Sequence, residues 1–295
     1  MVRDDKLNLL ASAQKPFVEF LRSQKRSIST ILAYGKDINQ LVEFLADKKI
    51  TEASSVTDEH LEEFKANLGQ QKYTLKSISR KLNSIKTFFK FLKSEGVIDQ
   101  DPAATISHPT YEVKPPRILS KMEYRALRDS CREDGRIAAI VELMLQTGIR
   151  IGEASRLKID DIKDNDIYIE SYESQPARTI PLNKAAKMAL DNYLAERAPT
   201  KTKIVFVTKT GRPFLARNIR AAINRYFRLA GIENASVNNL RNTWLAYHLM
   251  TGTNAVFLAK MAGHKRLATT EKYLAYLQNN KEKVQEREKN RLEEL

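Results

Sequence analysis

The 295-residue sequence has few of the residues that mark several classes of protein. Its one cysteine, Cys131, excludes an internal disulfide and is consistent with a reducing compartment. No run approaches about 18 apolar residues, so the sequence predicts no membrane span. The first ten residues mix acids with bases and do not resemble a signal peptide. These absences predict a cytoplasmic protein that does not act at a membrane.

Histidine is also scarce. The 4 histidines, at positions 60, 108, 248 and 264, are scattered along the chain, and the single cysteine has no partner. Because metal sites need ligands at characteristic spacing, the sequence predicts no metal site. We likewise expect no other cofactor and no small-molecule substrate.

Positive charge is abundant. The chain carries 50 lysines and arginines against 36 acids, a net charge of +14, and most of the excess follows Pro116. Basic side chains that neutralise phosphates release counterions, so this charge favours a polyanionic partner. A basic protein without a membrane anchor most often binds nucleic acid.

Residues 1–108 are predicted to form a helical domain without strands. Apolar spacing indicates helices over 6–24, 31–47, 58–67 and 75–94. The last of these has one apolar face, and no acid lies between positions 72 and 94. A lysine-rich face can simply be solvated, but the unrelieved repulsion favours DNA contact. The candidate DNA-binding residues are Lys76, Arg80, Lys86 and Lys90.

Prolines then forbid a continuous helix, and we predict a proline-rich linker over 109–116. Residues 117–280 read as mainly helical, opening with a capping box at Ser120 and Glu123. Alternating residues predict two strands, 166–172 and 177–182, followed by a short strand over 204–208. The predicted fold class is therefore mainly α with a small antiparallel β-sheet.

Two stretches of this second part carry chemistry. Residues 145–157 place Arg150 after a helix break, and residues 237–276 space Arg241, a Gly-His pair and Tyr273 along helical sequence. Arginine binds phosphate oxygens through a planar set of donors, histidine donates a hydrogen bond or a proton, and tyrosine supplies an oxygen nucleophile. All three groups are useful for handling a phosphate.

The pattern closely resembles the tyrosine recombinase and phage-type integrase family, including Xer-like site-specific recombinases. Its signatures read roughly T-G-x-R-x-x-E-x-x-x-L, H-x-x-R and G-H-x-x-x-x-T-T-x-x-Y. The matching residues here are Thr147, Gly148, Arg150, Glu153, Leu157, Arg241, Gly263, His264, Thr269, Thr270 and Tyr273. The resemblance implies an N-terminal core-binding (SAM-like) domain and a catalytic domain. Residues 281–295, read alone, predict a frayed, solvated helix with few apolar residues, whereas the resemblance implies a charged helix that docks on a neighbouring protomer.

The resemblance also implies the chemistry. Arg150 and Arg241 would stabilise the charge on the scissile phosphate of double-stranded DNA, and His264 would hydrogen-bond to it. Tyr273 would form a 3′-phosphotyrosine bond, without metal or ATP, on a self-associated complex. Tyr276 lies one turn later and is the nearby competitor for this role.

Two departures from the family pattern bear on activity. The first position of H-x-x-R is Asn238, which can hydrogen-bond to phosphate but cannot move a proton. The β-hairpin lacks the lysine that the family usually offers as general acid; Arg178 is a poor proton donor, and Lys209 is the possible substitute. Three readings follow: an active site-specific recombinase, a DNA-binding protein of the same fold with little cleavage, or a type IB topoisomerase-like relaxing enzyme.

Overall fold

The computed structural model describes residues 5–112, 115–173 and 175–274. The chain divides into two compact units, Met1–Val113 and Lys114–Leu295. Across the described ranges, the helices are too short or too polar to cross a bilayer. Tyr276 and the predicted helix over 281–295 lie outside the described residues, and the bounds of the 109–116 linker remain a prediction.

The first unit is helical. Its helices are α1 (Asp5–Asn8), α2 (Leu10–Ser23), α3 (Ile28–Asp47), α4 (Asp58–Gln70) and α5 (Leu75–Ser94), with a 3₁₀ turn at Ala53–Ser55. The predicted helix over 6–24 is interrupted at Leu9, because Leu9 pairs with Glu52 in an isolated β-bridge. Aromatic packing fixes α2 against α5, with the rings of Phe17 and Phe88 5.1 Å apart and edge to face.

The second unit has seven named helices in its described part: α6 (Lys121–Ser130), α7 (Gly135–Thr147), α8 (Ile151–Ala154), α9 (Lys184–Glu196), α10 (Ala216–Leu229), α11 (Asn238–Met250) and α12 (Ala255–Ala262). Residues 268–274 are also helical. The α7 helix is buried along most of its length and packs against α9 and α11. It therefore forms the centre of this unit.

A small antiparallel sheet lies between α8 and α9. Its strands, in spatial order, are β1 (Ile162–Lys163), β2 (Asp166–Ile169) and β3 (Arg178–Pro181). The register places Ile169 opposite Arg178. Residues 204–208 make only isolated bridges, such as Lys158 with Ile204. The predicted strand over 204–208 was therefore wrong, because single bridges do not extend into a ladder.

Two left-handed glycines end the helices that deliver the candidate site. Gly148 ends α7 with φ +65°, and Gly263 ends α12 with φ +64°. Only glycine adopts this conformation without a steric cost from Cβ. Each glycine redirects the chain, and the candidate residues follow closely: Arg150 lies two residues after Gly148, and His264 lies one residue after Gly263.

Candidate active site

Three arginines meet at the C-terminal end of α12. Arg178 Nε donates to the carbonyl of Met261 at 2.7 Å, and Arg241 Nη2 donates to that of Ala262 at 2.6 Å. Arg150 donates from Nη1 to Ala262 at 3.1 Å and from Nη2 to Gly263 at 3.0 Å. The last carbonyls of a helix lack partners within it and carry partial negative charge. This helix end therefore brings together three cations that would otherwise repel one another.

Glu153 joins two of these arginines. Its carboxylate accepts from Arg150 Nη1 at 3.1 Å and from both terminal nitrogens of Arg178, at 3.0 and 2.8 Å. Burial alone would raise the pKa of Glu153, but the hydrogen bonds and charge of Arg178, with a smaller contribution from Arg150, hold that pKa below its usual value. Glu153 is thus ionised and fixes the orientation of both guanidinium groups.

Arg241 is the most enclosed of the three arginines, with 7% of its surface exposed. Besides Ala262, it donates to the carbonyl of Gly148 at the end of α7. Burial, and then the positive charge of Arg150, lower the pKa of Arg241 to about 9. It therefore remains protonated at neutral pH and concentrates positive charge where little water competes.

His264 follows directly after the glycine that ends α12. Its Nδ1 lies 2.8 Å from Oγ1 of the buried Thr270. Burial lowers the pKa of His264 to about 4, and the charges of Arg241, Arg150 and Arg178 act in the same direction. The imidazole is therefore neutral at neutral pH and serves as a hydrogen-bonding group there, with Nε2 as the ring nitrogen that Thr270 does not engage.

This shift predicts a pH-dependent stability. Below pH 6.5 the unfolded chain takes up a proton on His264 that the folded protein excludes until about pH 4. Stability should therefore fall as the pH drops through this window, by up to about 3 kcal/mol. Urea unfolding of the wild type and of His264→Gln, at intervals between pH 7.5 and 4.5, measures the contribution.

The comparison variant is His248→Gln. Burial alone lowers the pKa of His248, without nearby arginines, so its removal should flatten the pH dependence less. If His264→Gln keeps the full pH dependence of the wild type, the neutral state of His264 is refuted.

Tyr273 lies on the helical segment that follows His264. Its hydroxyl donates to Oδ1 of Asn242 at 2.8 Å, and Asn242 Nδ2 donates to the carbonyl of Arg117 at 3.3 Å. Burial raises the pKa of Tyr273, while the charge of Arg241 opposes that rise. Asn242 directly follows Arg241 in the sequence, but it belongs to none of the motifs named above.

Asn238 occupies an exposed position in the first turn of α11. Its neighbour Asn239 is buried instead, where it accepts from the backbone of Ser236 at 2.6 Å and donates to Arg117 at 2.7 Å. The role of Asn238 toward phosphate stays a prediction. Its exposure leaves its amide accessible to a ligand.

The hairpin formed by β2 and β3 contains Arg178, which was considered above only as a proton donor. Arg178 is 8% exposed and all three of its nitrogens are hydrogen-bonded, which makes it part of the scaffold of the cluster. Tyr172, in the loop of the hairpin, lies against Arg156, whose guanidinium carbon is 3.5 Å from the centre of the tyrosine ring. Lys209 is exposed in the turn after residue 208 and makes none of the described hydrogen bonds that hold the cluster.

The α5 residues predicted to bind DNA differ in their surroundings. Lys76 and Lys90 are exposed, and Lys86 approaches the carbonyl of Ala104 at 3.5 Å. Arg80 is half exposed but is held by the buried carboxylate of Asp37.

Asp37 also changes the charge balance of α5. Lys81 is buried, with its Nζ 2.9 Å from Asp37. Burial raises the pKa of Asp37, but bonds from Arg80, Lys81 and Ser84 outweigh it and hold that pKa below its usual value. An acid from α3 therefore neutralises part of the α5 charge.

The geometry can be compared with known proteins. The profile of the phage integrase family matches residues 117–280, which is more than half of the chain. The chain belongs to the phage integrase family. The N-terminal SAM-like domain of phage integrases matches residues 15–96 of this integrase-family chain.

Curated relatives cover almost the whole integrase-family chain. Tyrosine recombinase XerC of Anoxybacillus flavithermus is 30% identical over 271 residues, which span 87% of this chain and 90% of the relative. Tyrosine recombinase XerD of Rickettsia bellii is 27% identical over 287 residues, spanning 90% and 93%.

Solved structures agree. The crystal structure of XerA recombinase has 26% identity and a TM-score of 0.51, covering 88% of this chain and 91% of that one. A lambda integrase dimer bound to a COC′ core site shares the fold, with a TM-score of 0.75 at 18% identity, covering 90% and 77%. The predicted family, fold class and enzyme class, a site-specific tyrosine recombinase, are confirmed. The non-cleaving and topoisomerase-like alternatives are not favoured.

Proposed function

We propose that Tyr273 is the nucleophile of this recombinase and that Arg150, Arg241, His264 and Asn238 act on the scissile phosphate. The observation that carries the proposal is the meeting of Arg150 and Arg241 at one carbonyl, that of Ala262, two residues before His264. Groups from the two stretches 145–157 and 237–276 thereby lie close together in the fold. Such preorganised cations stabilise charge that develops on phosphate oxygens.

The reaction is a transesterification. The Tyr273 oxygen attacks phosphorus, a new phosphotyrosine bond forms at the 3′ side, and the bond from phosphorus to the 5′ oxygen breaks. The phenolic proton is lost and the departing 5′ oxygen gains one. A 5′-hydroxyl from another strand then reverses the step, so the energy of the phosphodiester is conserved without ATP.

The chain's own residues take separate parts in this step. Arg150 and Arg241 neutralise the nonbridging oxygens, while neutral His264 offers Nε2 and Asn238 offers its amide as hydrogen-bonding groups. Glu153 and Arg178 hold Arg150 in place. No general acid is assigned: Arg178 is committed to Glu153, and Lys209 remains the candidate that mutation can test.

We further propose that the substrate is double-stranded DNA, bound partly through Lys76, Arg80, Lys86 and Lys90, and that the protein self-associates on it. The net charge of +14 supports this partner, since phosphate contacts supply most non-specific affinity. Among structural neighbours, lambda integrase has been solved as a dimer on a core site and as a tetramer on a Holliday junction. We also propose a cytoplasmic location, because a free thiol such as that of Cys131 is typical of a reducing compartment.

The test is incubation with supercoiled plasmid in EDTA, followed by denaturation in SDS. We expect a covalent protein–DNA band, because neither metal nor ATP takes part in the proposed step. Binding without a band, on both intact and nicked plasmid, would instead support the non-cleaving reading. Relaxation with little site preference that survives deletion of 281–295 would support the topoisomerase-like reading.

A further inference from the structure

The hydroxyl of Tyr273 is held by a residue that no motif of the sequence singles out. Asn242 Oδ1 accepts a hydrogen bond from this hydroxyl at 2.8 Å, and Nδ2 of the same amide donates to the carbonyl of Arg117 at 3.3 Å. Arg117 is itself fixed, because its guanidinium bonds to Glu123 at 2.6 Å and to the carbonyl of Glu233 at 2.9 Å. The amide oxygen that accepts the hydrogen bond from Tyr273 is therefore held in place.

An amide is a poor partner for a nucleophile about to react. Asn242 can accept a hydrogen bond, but it cannot take the proton that the phenol must lose. A hydrogen bond that an acceptor receives from the neutral phenol favours that neutral form over the phenolate. Attack on phosphorus also requires a lone pair of the oxygen to face the phosphate, and the bond to Asn242 fixes the direction in which the hydroxyl points.

Arg241 exerts the opposite influence on the same phenol, since its positive charge favours the phenolate. It belongs to the arginine cluster that would bind the phosphate, whereas Asn242, the next residue, donates to the main-chain carbonyl of Arg117. Tyr273 thus has two neighbours on α11, one that favours reaction and one that favours rest.

Building on the proposed role of Tyr273 as nucleophile, we infer that Asn242 is a positioning residue that holds the tyrosine in a resting, protonated state until DNA is bound. One neutral hydrogen bond of this kind shifts an equilibrium by about 3- to 10-fold. The reactivity of Tyr273 should therefore rise by that factor when the acceptor is removed.

The first measurement needs no DNA. Tetranitromethane nitrates the phenolate form of tyrosine, and peptide mass spectrometry of the full chain gives the rate at Tyr273. Tyr247, which lies on α11 with Asn242 and is 62% exposed, is the internal reference. In Asn242→Ala, nitration of Tyr273 relative to Tyr247 should rise about 3- to 10-fold.

Two variants distinguish loss of the hydrogen bond to Tyr273 from a general loosening of the structure around Arg117. Asn239→Ala removes the companion bond to the Arg117 carbonyl but does not touch Tyr273, so it should leave the ratio unchanged. Asn242→Asp loses the Nδ2 donor just as alanine does, but its carboxylate still accepts from the phenol and disfavours phenolate by charge. Its ratio should not exceed that of the wild type.

The outcome is decisive either way. A rise in Asn242→Ala alone supports the hold, while no rise, or an equal rise in Asn239→Ala or Asn242→Asp, overturns it. A parallel assay of covalent adduct on supercoiled plasmid tests the proposed function separately. If the wild type forms adduct, Asn242→Ala should form it faster; if no protein forms adduct, the proposed function fails while the nitration result still decides the hold.

Discussion

Replacing Tyr273 by phenylalanine is expected to reduce the covalent protein–DNA adduct by at least about 10³-fold, because the phosphotyrosine bond cannot form without the phenolic oxygen. The ring remains, so its packing against the apolar cluster that includes Trp244 and Leu258 should be retained. DNA binding, measured by fluorescence anisotropy at fixed salt, should stay within about twofold, since phosphate contacts supply most of the affinity. The adduct is measured on supercoiled plasmid in EDTA after SDS.

Tyr276→Phe is the matched control, because it removes the same atom from the competing tyrosine three residues later in the sequence. It should form adduct at close to the wild-type level. An adduct that persists in Tyr273→Phe and disappears in Tyr276→Phe would transfer the nucleophile to Tyr276 and refute the assignment made here.

Gly148→Ala is expected to destabilise the catalytic unit by about 2 to 5 kcal/mol. A left-handed conformation costs a non-glycine residue about 1 to 2 kcal/mol, and the added Cβ would overlap the indole ring of Trp244. Forcing extra volume into a packed interior typically costs a further 1 to 3 kcal/mol. Urea unfolding monitored by circular dichroism and by Trp244 fluorescence gives the change in free energy of unfolding.

Gly231→Ala separates the cost of the left-handed backbone from the cost of the clash with Trp244. Gly231 lies in the same unit with φ +68°, but no atom comes within 4 Å of a Cβ placed there. Its substitution should therefore cost only the backbone term, about 1 to 2 kcal/mol. Equal losses in the two variants would show that Trp244 moves aside freely and that its contact with Gly148 contributes nothing.

The candidate site residues that the sequence predicts are those whose signal is local. Arg150, Arg241, His264 and Tyr273 lie at fixed offsets from helix ends and glycines, so their order along the chain could be compared directly with the family pattern. The mainly helical fold with a small sheet was predictable for a similar reason. Apolar spacing reports which face of each helix is buried.

What the sequence did not reveal depends on long-range contacts. Arg178 could be judged only as a proton donor, because its bonds to Glu153 and Met261 join segments far apart in sequence. The α5 helix appeared to have no acidic partner, since Asp37 lies 44 residues before Lys81. Asn242 likewise acquires its meaning only when Tyr273 is folded back against α11.

The meeting of three arginines at the end of α12 also bears on how this site can change over generations. Their partners at 261–263 are main-chain carbonyls, which no point substitution can delete. Insertion of one residue within α12, in contrast, would rotate that final turn by about 100° and misdirect all three carbonyls together. The cluster is thus protected against drift in side-chain identity and vulnerable to changes in length, so we expect homologues that remain active to vary in composition along α12 but not in its residue count.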